Sequence, residues 1–132
     1  MGVYSNKQIR AAVKKGHIIC FPLRPANIAG SSIDVTLGDW YYRTERTGHS
    51  GFYNPLDKAD VDRYFDGPYQ AETHKNWAKK NGRQLFAGIP PGHKIIVLRP
   101  GERILAHTHE FIGIKAPGTS TLQARSTWGR NG

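Results

Sequence analysis

The chain is 132 residues long, 38% hydrophobic and 22% charged, with 19 Lys and Arg against 10 Asp and Glu for a formal net charge of +9. That length suits one domain rather than two, and three Trp, six Tyr and five Phe are too many for a disordered chain. No apolar run approaches the roughly 20 residues that a membrane span needs.

Residues 5–15 read as a short helix, with Ser5 as N-cap, an apolar stripe of Ile9, Ala12 and Val13, and Gly16 as the stop. His17–Phe21 is a short β-type run broken by Pro22 and Pro25. In Ser32–Leu37, Ile33, Val35 and Leu37 alternate with polar residues, which predicts a half-buried strand. Gly38 and Asp39 then read as a turn, and Trp40–Arg43 resumes β character. Residues 44–92 are polar and punctuated by Gly, with scattered aromatics and no clear strand. Ala59–Phe65 and Glu72–Lys80 each read as a helical turn or two. So long a stretch is read as an insertion within the domain, its role as lid, interface or passive loop left open.

Regularity returns at Lys94. Ile95–Leu98 is an apolar run, Pro100–Gly101 a turn, and Arg103–His107, Glu110–Lys115 and Thr121–Arg125 are three further strand candidates. Short strands at roughly ten-residue spacing predict a mainly β sandwich or barrel behind one leading helix.

The charge is uneven. Residues 1–66 carry nine Lys and Arg against seven Asp and Glu, and residues 67–132 carry ten against three. Such an excess suits a polyanion, a nucleoside triphosphate or nucleic acid. The N-terminus lacks an apolar signal core, and Cys20 is the only cysteine, so a reducing cytoplasm is expected. Several chemistries are excluded by motif. There is no GxxxxGK[ST] or GxGxxG phosphate loop, no G-x-S-x-G elbow, and no H-x-E with P-C-x-x-C zinc set.

Two clusters remain. His107 and His109 stand at i and i+2, on one face if the strand continues, and Gly101 six residues before His107 resembles the start of the cupin G-x5-H-x-H motif. Glu110 follows His109 directly, so its side chain would leave by the opposite face. This is the metal-binding alternative. The second cluster is Arg125-Ser126-Thr127 with Arg130. Guanidinium forks and hydroxyls suit phosphate oxygens, and Gly129 and Gly132 would let backbone N–H groups approach.

Four segments in order carry a resemblance. Ser5–Ala12, ending at Gly16, resembles the N-terminal helix of dCTP deaminases. Ser31–Gly38 (SSIDVTLG) resembles their S-S-I-D-x-x-L-G signature. Leu98–Glu102, continuing through Leu105, Thr108 and Glu110, resembles L-x-P-G-E-x-x-L-x-x-T-x-E. Arg125–Arg130 resembles R-S-S-x-G-R, with Thr127 for the second Ser and Ala124 for the usual preceding Gly. The chain is thus similar to the dCTP deaminase/dUTPase superfamily, and residues 44–92 match nothing in it.

The resemblance implies a distorted β jelly roll, a homotrimer with sites between subunits, and hydrolysis of dCTP to dUTP and ammonia without zinc. It implies Mg²⁺ arriving with the triphosphate and a glutamate activating the water. Carried over by motif, Arg125 and Thr127 hold phosphate oxygens, Ser126 joins them, and Ser126 and Arg130 stand by the reacting base as catalytic residues. In that frame His107 and His109 are surface or packing residues, and neither a membrane nor nucleic acid is an expected partner. A dUTPase, whose motif is typically P-R-S-G, or a bifunctional enzyme that also releases pyrophosphate are the nearest alternatives. A non-catalytic nucleotide-binding module is a further one. None of the ten Asp and Glu matches the family's catalytic glutamate. The chain is therefore expected to be roughly the N-terminal two-thirds of an enzyme, inactive alone and prone to self-association through open sheet edges.

Overall fold

Ser5 opens the first helix as expected. In a computed structural model, which describes residues 2–44, 53–115 and 117–124, α1 spans Asn6–Lys14. The Ser5 hydroxyl accepts from the Gln8 N–H, and the Gln8 side chain accepts from the Ser5 N–H at 2.8 Å, a reciprocal cap. At the other end Gly16 takes φ 72°, and the Gly16 and His17 N–H groups turn back to Val13 and Ala12. Only glycine adopts that backbone readily, so the helix stops there. Ile9 and Ala12 are buried against the strands that follow, and Arg10 donates to the Pro25 and Ile28 carbonyls at 3.0 Å each.

The chain divides into two compact units, residues 1–35 with 110–132, and residues 36–109. In the first, β1 (Ile18–Phe21) pairs antiparallel with β9 (Phe111–Ile114), setting Phe21 opposite Phe111. A single turn of 3-10 helix, Pro25–Asn27, leads into a hairpin of β2 (Ile28–Ala29) and β3 (Ser32–Ile33). Gly30, at φ 57°, makes its tight turn with Ser31. The core here is Ile9, Ala12, Cys20 and Ile28, with Glu110 also buried. Burial first, and the Glu110 charge second, push the Cys20 thiol up.

In the second unit, β4 (Leu37–Thr44) is the central strand of three, flanked by β5 (Phe65–Gln70) and β8 (Ile104–Thr108), all antiparallel. The helix α2 (Lys58–Tyr64) precedes β5, with Asp57 as its N-cap. A second pair, β6 (Glu72–Thr73) with β7 (Lys94–Ile95), brackets α3 (His74–Lys80). The described chain is mainly β, with three helices and several antiparallel sheets.

Five expectations need correction. Ser32–Leu37 is not one strand: the hairpin ends at Ile33 and a new strand begins at Leu37, which is 53% exposed. Gly38 and Asp39 are not a turn; they lie within β4, where the register against β8 shifts between Leu37 and Tyr41. Residues 44–92 do contain strands, since β5 pairs with β4 despite its Gly67 and Pro68. Edge position explains the tolerance, because among the described residues β5 has a neighbour on one side only. Finally, of the Ile95–Leu98 run only Ile95 pairs, in β7 with Lys94, and in the Thr121–Arg125 candidate the described residues 121–124 form no strand. The two helical segments expected at 59–65 and 72–80 are found as α2 and α3.

Candidate functional site

Two of the motif segments, Leu98–Glu102 and Ser31–Gly38, include tight turns with a physical reason for each. Arg99-Pro100-Gly101-Glu102 is a β-turn closed by the Glu102 N–H to the Arg99 carbonyl at 2.9 Å, with Gly101 at φ 73°. Pro at the second position and a positive-φ Gly at the third are what a type II turn demands. Glu102 then accepts the Arg99 N–H at 2.8 Å through one carboxylate oxygen and the Arg43 guanidinium through the other. The Arg99 N–H first, and Arg43 second, hold the Glu102 carboxyl below its usual range. Burial opposes the Arg43 charge, but its bonds to Glu102 and Tyr41 outweigh burial and raise its pKa further. Arg43 also donates to the Val97 carbonyl at 3.2 Å and lies over the Tyr41 and Tyr69 rings, 5.3 and 6.0 Å from their centroids. The Tyr69 hydroxyl donates to Asp66, a bond that holds its proton and raises its pKa.

This network forms one wall of an open cleft of about 530 Å³, to which Arg43, Arg63 and Arg99 contribute three positive charges and Asp62, Asp66 and Glu102 three negative ones. Arg63 pairs with Asp60 and Lys58 with Asp62. The lining charges cancel, so the cleft ties a turn to a sheet and has no net pull on an anion. Glu102 belongs to a sequence motif, whereas nothing in the sequence around Arg43 marks it as its partner. The missing signal was distance along the chain: the pair joins residues 59 apart.

The S-S-I-D segment supplies β3 and the turn residue Ser31 of the β2–β3 hairpin. The Asp34 N–H donates to the Asn27 carbonyl at 2.8 Å, and the Asn27 amide returns a bond to the Asp34 carbonyl at 3.2 Å. Gly38, which ends that signature, is buried beneath an imidazole. A Cβ built there would stand 2.2 Å from Cε1 of His107. His107 donates from Nδ1 to the Thr108 carbonyl at 2.7 Å and accepts the Trp40 N–H at Nε2, 3.4 Å away. Both ring nitrogens are therefore engaged in bridging the irregular register of β4. His109 lies past the end of β8, so the two imidazoles do not share a continuing strand, which is the geometry the metal-binding alternative needed. Among the described residues no three His, Cys, Asp or Glu side chains converge as a metal set.

Gly38→Ala should expel the His107 ring and cost about 1–2 kcal/mol in urea unfolding. In a His107→Ala background, the same change should cost little. Equal costs in both backgrounds would mean that the ring is not what Gly38 accommodates.

Arg125, Ser126, Thr127 and Arg130 lie outside the described residues. Their assignment rests on sequence, and here comparison with known proteins bears directly. A dCTP deaminase-like family model matches residues 3–132. The chain belongs to the dCTP deaminase-like family. It is 29% identical over 129 residues to a protein of Streptomyces griseus named "dCTP deaminase, dUMP-forming", covering 97% of this chain and 55% of the relative. It is 25% identical over 133 residues to a protein of the same name from Methanobrevibacter smithii, covering all of this chain and 58% of the relative. It is 24% identical over 130 residues to the "dCTP deaminase" of Aeropyrum pernix, covering 98% and 59%. The chain thus spans little more than half the length of these relatives.

Proposed function

We propose that this protein serves pyrimidine deoxynucleotide metabolism by hydrolysing the C4 amino group of dCTP, with release of ammonia and no zinc. The carrying observation is the family match over residues 3–132, which includes the Arg125–Arg130 segment. Arg125 and Thr127 hold phosphate oxygens of the Mg²⁺-bound triphosphate, and Ser126 and Arg130 stand at the base and its water. Fixed donors of this kind stabilise charge that develops at the pyrimidine ring. The water-activating glutamate comes from the part of the relatives' length that these 132 residues do not span. The 132 residues alone therefore bind the nucleotide without turning it over. The fold is a distorted jelly roll, its 44–92 stretch an insertion, and the working form a cytoplasmic homotrimer. No described helix is long and apolar enough to cross a membrane.

A second reading concerns the product. The Streptomyces and Methanobrevibacter relatives carry names that specify dUMP, which favours release of pyrophosphate after deamination rather than a halt at dUTP.

The test is calorimetric titration of the 132-residue protein with Mg·dCTP, alongside an ammonia assay and separation of dUTP from dUMP. Binding that Arg125→Ala weakens at least about tenfold, a loss fitting one charge-assisted phosphate contact, is the expected result. Absence of binding, or binding indifferent to Arg125→Ala, overturns the site. Ammonia release that scales with the 132-residue protein overturns the requirement for a further segment.

A further inference from the structure

His74 is fully buried in the second unit, and the proposed reaction makes no use of it. A turn in the loop that follows α3 is built around its ring. Phe86-Ala87-Gly88-Ile89 is closed by the Ile89 N–H to the Phe86 carbonyl at 3.4 Å. Gly88 takes φ 79°, the positive-φ third position of a type II turn. The Phe86 N–H and the Ile89 carbonyl, at the two ends of that turn, both meet the imidazole. Nε2 accepts the Phe86 N–H at 2.9 Å, and Nδ1 lies 3.2 Å from the Ile89 carbonyl. The Phe86 ring stacks on the imidazole at 5.2 Å. Farther along the loop, the His74 N–H donates to the His93 carbonyl at 2.8 Å and the Lys75 N–H to the Pro91 carbonyl at 2.9 Å. One side chain thus grips the middle of the 81–93 stretch, and two backbone bonds tie its end.

This pattern fits only a neutral ring, with its proton on Nδ1. A second proton would go to Nε2 and set a donor against the Phe86 N–H, also a donor. The Phe86 N–H must then leave. The new charge must also reach water, because a buried unpaired charge is costly.

The neighbouring groups supply no counter-charge. From α3 itself come Lys75, Lys79 and Lys80, and from the loop Arg83 and His93. From β6 comes Glu72, which is paired with Lys80 at 2.7 Å. From β7 comes Lys94, which is paired with Asp39 of β4. None of these side chains bonds to the ring. Both carboxylates are therefore occupied, and the other groups are cations or become cations in acid.

We infer that His74 is an acid-released latch on the 81–93 loop: neutral, it grips the 86–89 turn, and protonated, it lets the turn go. Opening frees Phe86 and uncovers Trp77, whose ring packs on Phe86 at 5.2 Å. This reading does not depend on the deaminase assignment. The sign follows from which state binds the extra proton. The open loop binds it and the closed loop does not, so acid favours opening. An imidazole in water titrates near about pH 6.5. Closure is complete above that range and weakens about tenfold per pH unit below it. Between about pH 7 and pH 5 the opening equilibrium should therefore rise about 25-fold.

The experiment is amide hydrogen exchange of the 132-residue protein, resolved by NMR across a pH series and divided by the intrinsic rate at each pH. Protection of the Phe86 and Lys75 amides should fall about 25-fold over that range. Ile9 in α1 and Thr44 in β4, whose N–H groups bond to the Ser5 and Arg103 carbonyls, should change by no more than about twofold. His74→Phe takes no proton, so its Lys75 amide should start less protected and stay level across the series. His93→Gln removes the exposed imidazole of the same loop and should leave the fall intact. Protection that holds steady in the parent overturns the latch. A fall that persists in His74→Phe, or disappears in His93→Gln, assigns the proton to another group and overturns it too. Loss at Ile9 and Thr44 in step with Phe86 would mean that acid acts on the whole fold, which also overturns it.

Discussion

Replacing His74 by Ala should cost about 3–5 kcal/mol of folding stability, the largest loss expected from a single described side chain. His74 is fully buried, at 0% exposure. Its Nδ1 is 3.2 Å from the Ile89 carbonyl, and its Nε2 accepts the Phe86 N–H at 2.9 Å. The second bond requires an unprotonated Nε2, so the proton lies on Nδ1 and is donated to Ile89. One ring thus fixes a loop at two points, 12 and 15 residues away along the chain. Alanine removes the stack with Phe86, opens a cavity and leaves two backbone groups without partners. His74→Phe keeps the ring and loses only the bonds, so it should recover roughly half of the deficit. Urea unfolding followed by tryptophan fluorescence measures both variants. If His74→Phe were as stable as the parent, the two hydrogen bonds would contribute nothing and the loop would be held by stacking alone.

His74 also shows why parts of this fold are legible in the sequence and parts are not. Local chemistry reads well. Ser5 and Gly16 bound α1 because a hydroxyl cap and a positive-φ glycine act within one turn of their own positions. The Pro100–Gly101 turn is legible for the same reason. Gly38 is not, because its role depends on His107, which reaches it across the sheet from β8. A glycine that makes room for a distant ring looks the same in sequence as one that bends the chain. The strand β5 fails for a related reason: its Gly67 and Pro68 argue against a strand, and only pairing with β4 reveals it. His74 falls within a helical segment with nothing local to mark it, since its partners at 86 and 89 lie in a stretch without periodicity. The motif at Arg125–Arg130 is the reverse case, legible in sequence and family while lying outside the described residues.

Glu102→Ala should cost about 2–3 kcal/mol, the worth of a charged group's hydrogen bonds in a mostly buried setting. The Glu102 side chain is 11% exposed and its partner Arg43 29%, so solvent screens this pair less than the surface pairs on α2. Removal leaves the Arg43 guanidinium with Tyr41 and Val97 and leaves the Arg99 N–H without its acceptor. The turn that carries the L-x-P-G-E motif should loosen from β4. Glu102→Gln, which keeps the shape and can still accept one bond, should cost about 1 kcal/mol. The effect has a defined pH dependence. The folded carboxyl titrates below its ordinary value of 4.5, because the Arg99 N–H and then Arg43 stabilise the charged form. Its contribution is therefore complete above that ordinary value and disappears as pH falls through the lower folded value. The stability gap between the parent and Glu102→Gln should accordingly be constant at neutral pH and close on acidification below about 4.5. A gap that stays unchanged through that acid range would show that the Glu102 charge does not hold the turn. A gap that widened would reverse the sign of the linkage and place the charge in an unfavourable setting.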